Sequence, residues 1–198
     1  HISEGAAPIV QTDKGRIRCD HVILAGNGYL GGLNRKVAAR VMPINNFIAA
    51  TEPLGDAAAQ VLTRDIAIAD TKFVVNYFRL SHDKRLLFGG GESYGYKFPN
   101  DIAKTVRKPM TEIFPHLKEA RIDYAWGGTL GVTIPRMPAV IRVAPNILSA
   151  GGYSGHGVAL SGLAGKVMAE AIAGQAGAEE CLPSHDALSF SSLGANAT

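Results

Sequence analysis

The stretch Asn146-Ile-Leu-Ser-Ala-Gly-Gly-Tyr-Ser-Gly-His-Gly-Val158, continuing as Ala-Leu-Ser-Gly-Leu-Ala-Gly-Lys-Val-Met-Ala-Glu-Ala-Ile172, decides how this chain is read. Its apolar start, Ile147 to Ala150, predicts a short buried strand; the glycines that follow predict a tight turn, and the remainder a helix. The first turn of that helix carries almost no side-chain bulk. A helix start exposes backbone N–H groups and the positive end of the macrodipole, so an electron-rich ligand atom can rest against bare backbone there. Gly157, Ser161, Gly165 and Ala169 recur every four residues and predict a slim helix face that lies close against a sheet.

The same pattern of strand and glycines occurs near the other end of the chain. Pro8 to Thr12 and Arg16 to Asp20 flank Asp13-Lys14-Gly15, a sequence suited to a hairpin turn. His21 to Ala25 then reads as a buried strand of the parallel kind, because its apolar residues are continuous. The next six residues, Gly26-Asn-Gly28-Tyr-Leu-Gly31, satisfy G-x-G-x-x-G. A short helix over 34–41 and a strand over 44–51 follow, and Glu52 lies 21 residues past Gly31. These are the parts of a dinucleotide fingerprint, which makes an NAD(P)-dependent oxidoreductase built on Gly26, Gly28, Gly31 and Glu52 one open reading. Against it stand the charge of the candidate helix and the Pro43 that crowds the next strand.

Between these two ends the pattern changes to antiparallel. Phe73 to Leu80 alternates, Ser81 to Lys84 makes a turn, and Arg85 to Phe88 returns as a second strand. Asn100 is the expected N-cap of a helix that turns Ile102, Val106, Met110 and Ile113 inward and meets Pro109 before Phe114-Pro115 ends it. Arg121 to Trp126 predicts another strand with Ile122, Tyr124 and Trp126 on one face. The Ala, Gly and Ser-rich tail after about Gly174 is expected to fray.

Composition bounds the function classes. The chain has 198 residues, 46% apolar and 19% charged, as in ordinary globular proteins. Its net charge of +3 is spread without a basic run, which argues against nucleic acid and membrane surface as partners. Cys19 and Cys181 have neither metal nor redox spacing and read as free thiols of a reducing, cytoplasmic compartment. The histidines show no zinc-ligand spacing, so no metal is expected. The first residue is His1, and a portion preceding it is expected.

Taken together, Gly15-Arg-Ile-Arg-Cys-Asp-His-Val-Ile-Leu-Ala-Gly26 resembles the second signature of two-dinucleotide-fold flavoproteins, with Asn27 interrupting the commoner Ala-Thr-Gly form. With Gly-Tyr-Ser-Gly-His-Gly-Val near the other end, the chain resembles the C-terminal portion of a D-amino-acid-oxidase-type FAD-dependent oxidoreductase, over roughly residues 10–175. Further matching pieces are Tyr77-Phe-Arg79, Arg85-Leu-Leu-Phe-Gly-Gly90, Phe114-Pro115, Trp126-Gly-Gly128 and Arg136-Met-Pro138. Tyr-Ala-Trp-Gly-Gly together with the histidine-containing turn is most similar to the γ-glutamylputrescine oxidoreductase branch, which puts putrescine catabolism among the expectations.

The resemblance implies a mixed α/β and α+β fold. A partial FAD-binding domain of the two-dinucleotide-fold type, residues 1–41 and 140–178, would bracket an antiparallel-sheet substrate domain with helices, residues 42–139. It implies FAD contacts at Ala25, Gly26, Gly128, Gly152, Tyr153, Ser154, Gly155, His156, Gly157 and Val158, and a substrate pocket with Tyr77, Arg79 and Trp126. Tyr153 and His156 are the candidates for a direct part in catalysis. The implied reaction is oxidation of a γ-glutamylputrescine-like or other N-substituted amine by hydride transfer to flavin N5, after which water hydrolyses the imine and oxygen or another acceptor takes the electrons.

Three departures from the family qualify that picture. Gly128-Thr-Leu-Gly-Val132 has no arginine where amino-acid oxidases hold an α-carboxylate, which favours amines. No cysteine lies between Cys19 and Cys181 to tether the flavin, so the FAD is expected to be non-covalent. The family's opening phosphate-binding G-x-G-x-x-G has no better match than Gly26 to Gly31, so the chain is expected to be a fragment that is inactive alone and binds FAD weakly or not at all by itself. A non-catalytic fragment that self-associates through unpaired sheet edges is the reading from a different class.

Overall fold

A computed structural model describes residues 1–175, and they form two compact units. The first comprises residues 1–43 and 130–175 of the described chain; the second comprises residues 44–129. The expected domain boundaries, 41/42 and 139/140, compare with 43/44 and 129/130 in the structure.

The first unit opens with β1 (Ile2–Ser3), β2 (Ile9–Gln11) and β3 (Arg16–Arg18), three antiparallel strands in that order. β2 and β3 are the expected hairpin. Thr12 closes it, its Oγ1 accepting the Lys14 and Gly15 amides. β4 (Val22–Leu24) follows, and then a four-residue helix, α1 (Arg35–Ala38), capped by the Asn34 carboxamide, which accepts the Val37 amide at 3.1 Å.

The second unit is one five-stranded sheet and a helix. Its strands are β5 (Met42–Pro53), β6 (Ile68–Ala69), β7 (Tyr77–Leu80), β8 (Arg85–Tyr94) and β9 (Ile122–Val132), in the spatial order β6-β7-β8-β5-β9. α2 (Ile102–Ile113) buries Val106 and Met110 against Phe47, Leu86, Phe88, Phe114 and Leu117, the unit's core. Gly90 and Gly91 thin β8 where α2 crosses it; a Cβ on Gly91 would stand 3.2 Å from Thr105 Cγ2.

Back in the first unit, β10 (Ala139–Ala144) and β11 (Ile147–Gly151) form an antiparallel pair, and β4 joins the other side of β11 in parallel, with Val22, Ile23 and Leu24 opposite Ile147, Leu148 and Ser149. Every residue of β11 is buried. α3 (Gly157–Ile172) then packs Ala164, Met168 and Ala171 onto Leu148 and Ala150. The mixed class expected from the sequence is the observed one.

Several expectations need correction. The strand expected over 73–80 begins only at Tyr77: Asp70 accepts the backbone and side-chain N–H of Asn76, which curls residues 70–76 into a turn and leaves Phe73 78% exposed. Asp101, not Asn100, caps α2, its carboxylate accepting the Lys104 amide at 2.8 Å. β4 is not buried on both faces, since Ile23 is 45% exposed among the described residues. The stripe of small residues on α3 does not meet the sheet; Ser161, Gly165 and Ala169 are exposed, and the sheet takes the face carrying Ala164 and Met168 instead. The slim stripe and the packed stripe are offset by one residue, about 100° around the helix.

The dinucleotide reading of Gly26 to Gly31 also fails. Residues Asn27–Tyr29 and Gly31–Leu33 are 3₁₀ turns, α1 has four residues, and β5 pairs antiparallel with β8 rather than continuing the parallel pair of β4. A strand-helix-strand crossover, which the fingerprint requires, is therefore not formed. Glu52 sits in the second unit, where its carboxylate accepts the Arg121 amide. Cys19 is a half-buried free thiol; Cys181 and the expected fraying after Gly174 lie almost wholly outside the described residues. No helix among the described residues is long and apolar enough to cross a membrane.

Candidate functional site

The parallel pairing of β4 with β11 brings the ends of both strands, and the glycine-rich segments after them, to one edge of the first unit. Ala25 and Gly26 stand at the end of β4. Gly152, Tyr153, Ser154, Gly155 and His156 form the turn after β11, and Gly157 and Val158 open α3.

The turn is fixed from several directions. Gly152 (φ +68°), Ser154 (φ +51°) and Gly155 (φ +96°) all take left-handed backbone, which is what reverses the chain so sharply. The Gly152 amide donates to Asn27 Oδ1 at 2.8 Å, and the Ser154 amide donates to the Gly131 carbonyl at 2.9 Å. Tyr153 forms an antiparallel bridge to Val132. Ser154 Oγ donates to the Gly152 carbonyl and accepts the Thr133 amide.

What the turn presents is backbone. No side chain caps α3, whose N-cap residue is His156; the His156 amide donates to Tyr153, and its carbonyl accepts Leu160. The amides of Gly157, Val158 and Ala159 precede the first i to i−4 bond and so have no partner inside the helix. Gly155, His156 and Val158 are exposed, Val158 completely, and a Cβ on Gly155 would meet nothing within 4 Å. Donors aligned on a helix dipole, with space before them, suit an anionic or electron-rich ring edge; the donor set therefore fits the pyrimidine side of a flavin.

Tyr153 is placed differently from a free catalytic side chain. Its ring packs on the α3–β11 core and lies beneath Gly157, where a Cβ would be 3.4 Å from the ring. Burial raises the phenol pKa above its ordinary value, so the hydroxyl stays protonated at neutral pH.

The other candidates, Tyr77, Arg79, Trp126 and Gly128, belong to the second unit. Tyr77 and Arg79 lie on β7 while Trp126 and Gly128 lie on β9, with β8 and β5 between them, so roughly 14 Å of sheet separates the two pairs. The Tyr77 ring covers Gly89, its hydroxyl donates to Asn46 Oδ1, and burial raises its pKa. Arg79 pairs with Asp65 at 3.0 Å on the rim of a cavity of about 280 Å³ that is also lined by Arg64, His82 and Lys84. Trp126 is 45% exposed. The structure thus joins the strand-end glycines of the first unit into one edge and leaves the second unit's candidates on separate strands.

Asn27, Gly131 and Thr133 complete the turn, yet their sequence neighbourhoods give only one usable sign. An asparagine between two glycines is among the few non-glycine residues that accept left-handed backbone, and Asn27 has φ +45°.

Residues 1–171 match the family described as DAO, FAD dependent oxidoreductase. Relatives include a probable oxidoreductase OrdL of Rhizobium meliloti (strain 1021), 43% identical over 172 residues, which are 87% of this chain and 40% of that protein. The gamma-glutamylputrescine oxidoreductase of Escherichia coli (strain K12) is 39% identical over 170 residues, 85% of this chain and 40% of that protein. The chain thus spans about 40% of the length of these curated relatives. Among solved structures, iminodiacetate oxidase from Chelativorans sp. BNC1 aligns with a TM-score of 0.69 at 16% identity, over 92% of this chain and 52% of that one. L-proline dehydrogenase from P. horikoshii aligns with a TM-score of 0.66 at 24% identity, over 85% and 47%. At such identities the likeness shows the fold alone. The family match across most of the chain carries more: the chain belongs to the DAO family of FAD-dependent oxidoreductases.

Proposed function

We propose that this chain supplies the flavin-ring side of an FAD-dependent amine oxidoreductase, acting on γ-glutamylputrescine or a similar N-substituted amine. The observation that carries the reading is the uncapped start of α3, held open by the turn from Gly152 to His156 beside the end of β4. Bound FAD supplies the acceptor for the hydride that leaves the amine-bearing carbon. The residues of the chain do the electrostatic work: the amides of Gly157, Val158 and Ala159 favour negative charge at the ring edge before them, and Gly155 leaves room for that edge. His156 and Ser154 border the same edge, and Ala25 and Gly26 flank it from β4.

In this reading residues 1–41 and 140–178 belong to the cofactor domain and residues 42–139 to the substrate domain. Tyr77, Arg79, Trp126 and Gly128 then belong to the substrate domain. The lack of an arginine over 128–132 supports an amine over an α-amino acid. The likeness to gamma-glutamylputrescine oxidoreductase at 39% identity supports the same substrate class and a place in putrescine catabolism. Its electrons pass to oxygen or another acceptor, and a cytoplasmic setting fits the free thiol of Cys19.

The test is the protein expressed from its natural gene. It should purify yellow, and γ-glutamylputrescine added without air should bleach the flavin band while glycine does not. A protein that stays colourless after incubation with FAD removes the reading, and bleaching by glycine alone reverses the substrate class.

A further inference from the structure

Asn27 lies 125 residues from the turn that it touches. Its backbone sits in the left-handed region, φ +45°, between the end of β4 and the buried Gly28. That conformation aims the side chain across to β11, where Oδ1 accepts the Gly152 amide at 2.8 Å. The surroundings are shaped for it. A Cβ on Gly131 would stand 2.2 Å from Asn27 Oδ1, and a Cβ on Gly151 would stand 3.2 Å from Asn27 Cα. Two glycines from different strands thus make the space that one carboxamide fills.

The bond has directional content. Gly152 is the first residue of the turn with positive φ, and its amide points away from the β10 ladder, whose register with β11 ends at the Ala139–Gly151 pair. Without that acceptor the Gly152 amide, part-buried, loses its side-chain partner at the start of the turn, while Tyr153 and Ser154 keep their ties to Val132 and Gly131. The Asn27 backbone carbonyl meanwhile accepts Leu30, which anchors the acceptor to its own 3₁₀ turn.

We propose that Asn27 is a positioning residue for the cofactor edge: its carboxamide sets the Gly152 turn and thereby the aim of the α3 N-terminus. This rests on the flavin reading above. It assigns to the Asn27 side chain, in the Gly26-to-Gly31 segment, a task other than phosphate binding.

Glycine adopts φ +45° freely, so Asn27→Gly deletes the acceptor and leaves the backbone unstrained. Asn27→Asp keeps an oxygen at the same reach. Both variants are made in the protein expressed from its natural gene. Without FAD, hydrogen exchange in a peptide spanning residues 148–156 reports the brace alone: Asn27→Gly should speed exchange at Gly152 about tenfold, and Asn27→Asp should hold it within about threefold of the parent. With FAD, Asn27→Gly should weaken flavin affinity about tenfold and shift the flavin midpoint potential downward, since the donors no longer aim at the ring edge. Unchanged exchange at Gly152 overturns the brace. Faster exchange with affinity and potential both unchanged overturns the positioning role and leaves only a structural bond. A parent protein that takes up no FAD sinks the flavin reading and the positioning role with it, while the exchange measurement still reads the bond itself.

Discussion

The two glycine-rich segments of the first unit, Gly26 to Gly31 and Gly151 to Gly157, look alike as sequence and differ as structure. In the first, Gly26 and Gly28 serve contact, while Gly31 faces open space. Gly28 is buried, and a Cβ on Gly26 would meet Leu30 at 3.1 Å. In the second the roles divide within seven residues. Gly151 and Gly152 are buried against Asn27 and Thr133, whereas Gly155 faces open space with φ +96°. Glycine spacing alone therefore does not separate an open turn from a tight crossing; a neighbour where Cβ would stand marks the crossing.

A methyl group added at a crowded glycine and at an open one should have different effects. Gly152→Ala should be the most damaging substitution: its Cβ would stand 2.3 Å from Thr133 Cγ2, at φ +68°. Thr133 cannot simply rotate aside, because its hydroxyl donates to the Met137 carbonyl at 2.7 Å. Overpacking and left-handed strain together should cost about 2–5 kcal/mol, read as a lower urea midpoint. A loss below about 1 kcal/mol would mean that the crossing is looser than the geometry states.

Gly155→Ala and Gly31→Ala form the matched pair on the open side. Both positions have positive φ, and neither Cβ would touch anything within 4 Å. Each should cost about 1–2 kcal/mol from backbone strain alone. The two should differ in flavin affinity, with Gly155→Ala weakening it and Gly31→Ala leaving it as it was. Equal effects on affinity would erase the functional distinction between the two segments while keeping the stability argument.

This contrast also explains what could be read from sequence. The buried strand over 147–150 and the helix after it were legible because apolar continuity and a glycine turn are local signals, and the β2–β3 hairpin was legible for the same reason. The helical phase of α3 was not. Its small residues and its apolar residues both recur at helical spacing, and only the sheet beneath shows that Ala164 and Met168 face inward. The false start of a strand at Phe73 has a similar cause, since the Asp70–Asn76 hydrogen bonds that curl the chain there leave its alternating pattern intact. The site was half legible. The ends of β4 and β11 lie side by side as parallel neighbours, as two buried strands ending in glycines allow, but the Asn27–Gly152 bond that joins the segments after them spans 125 residues and leaves no periodic trace.

A last contrast is electrostatic, between the turn of the first unit and the sheet of the second. From Gly151 to Val158 there is no carboxylate, whereas at one end of the five-stranded sheet Asp123 sits between Arg121 and Arg85, with N–O distances of 2.6 Å to each. Hydrogen bonds from Arg121 and then Arg85 hold the Asp123 pKa below the ordinary aspartate value, and those from Ser81 and Arg85 do the same for Asp83. A carboxylate whose folded pKa is depressed contributes stability that is fully present above its unfolded pKa, near 4. That contribution is lost as pH falls through the folded value. Thermal midpoints should thus be level from about pH 7 to pH 5 with respect to these groups and decline below about pH 4. Asp123→Asn should start lower at pH 7 and decline less steeply, because one of the protonations that drive the loss is gone. The effect should be the smallest of the set, since solvent and salt screen pairs of this kind. Parallel declines in parent and variant would move the acid sensitivity away from the sheet end, and the difference between the two regions would then lie in their packing alone.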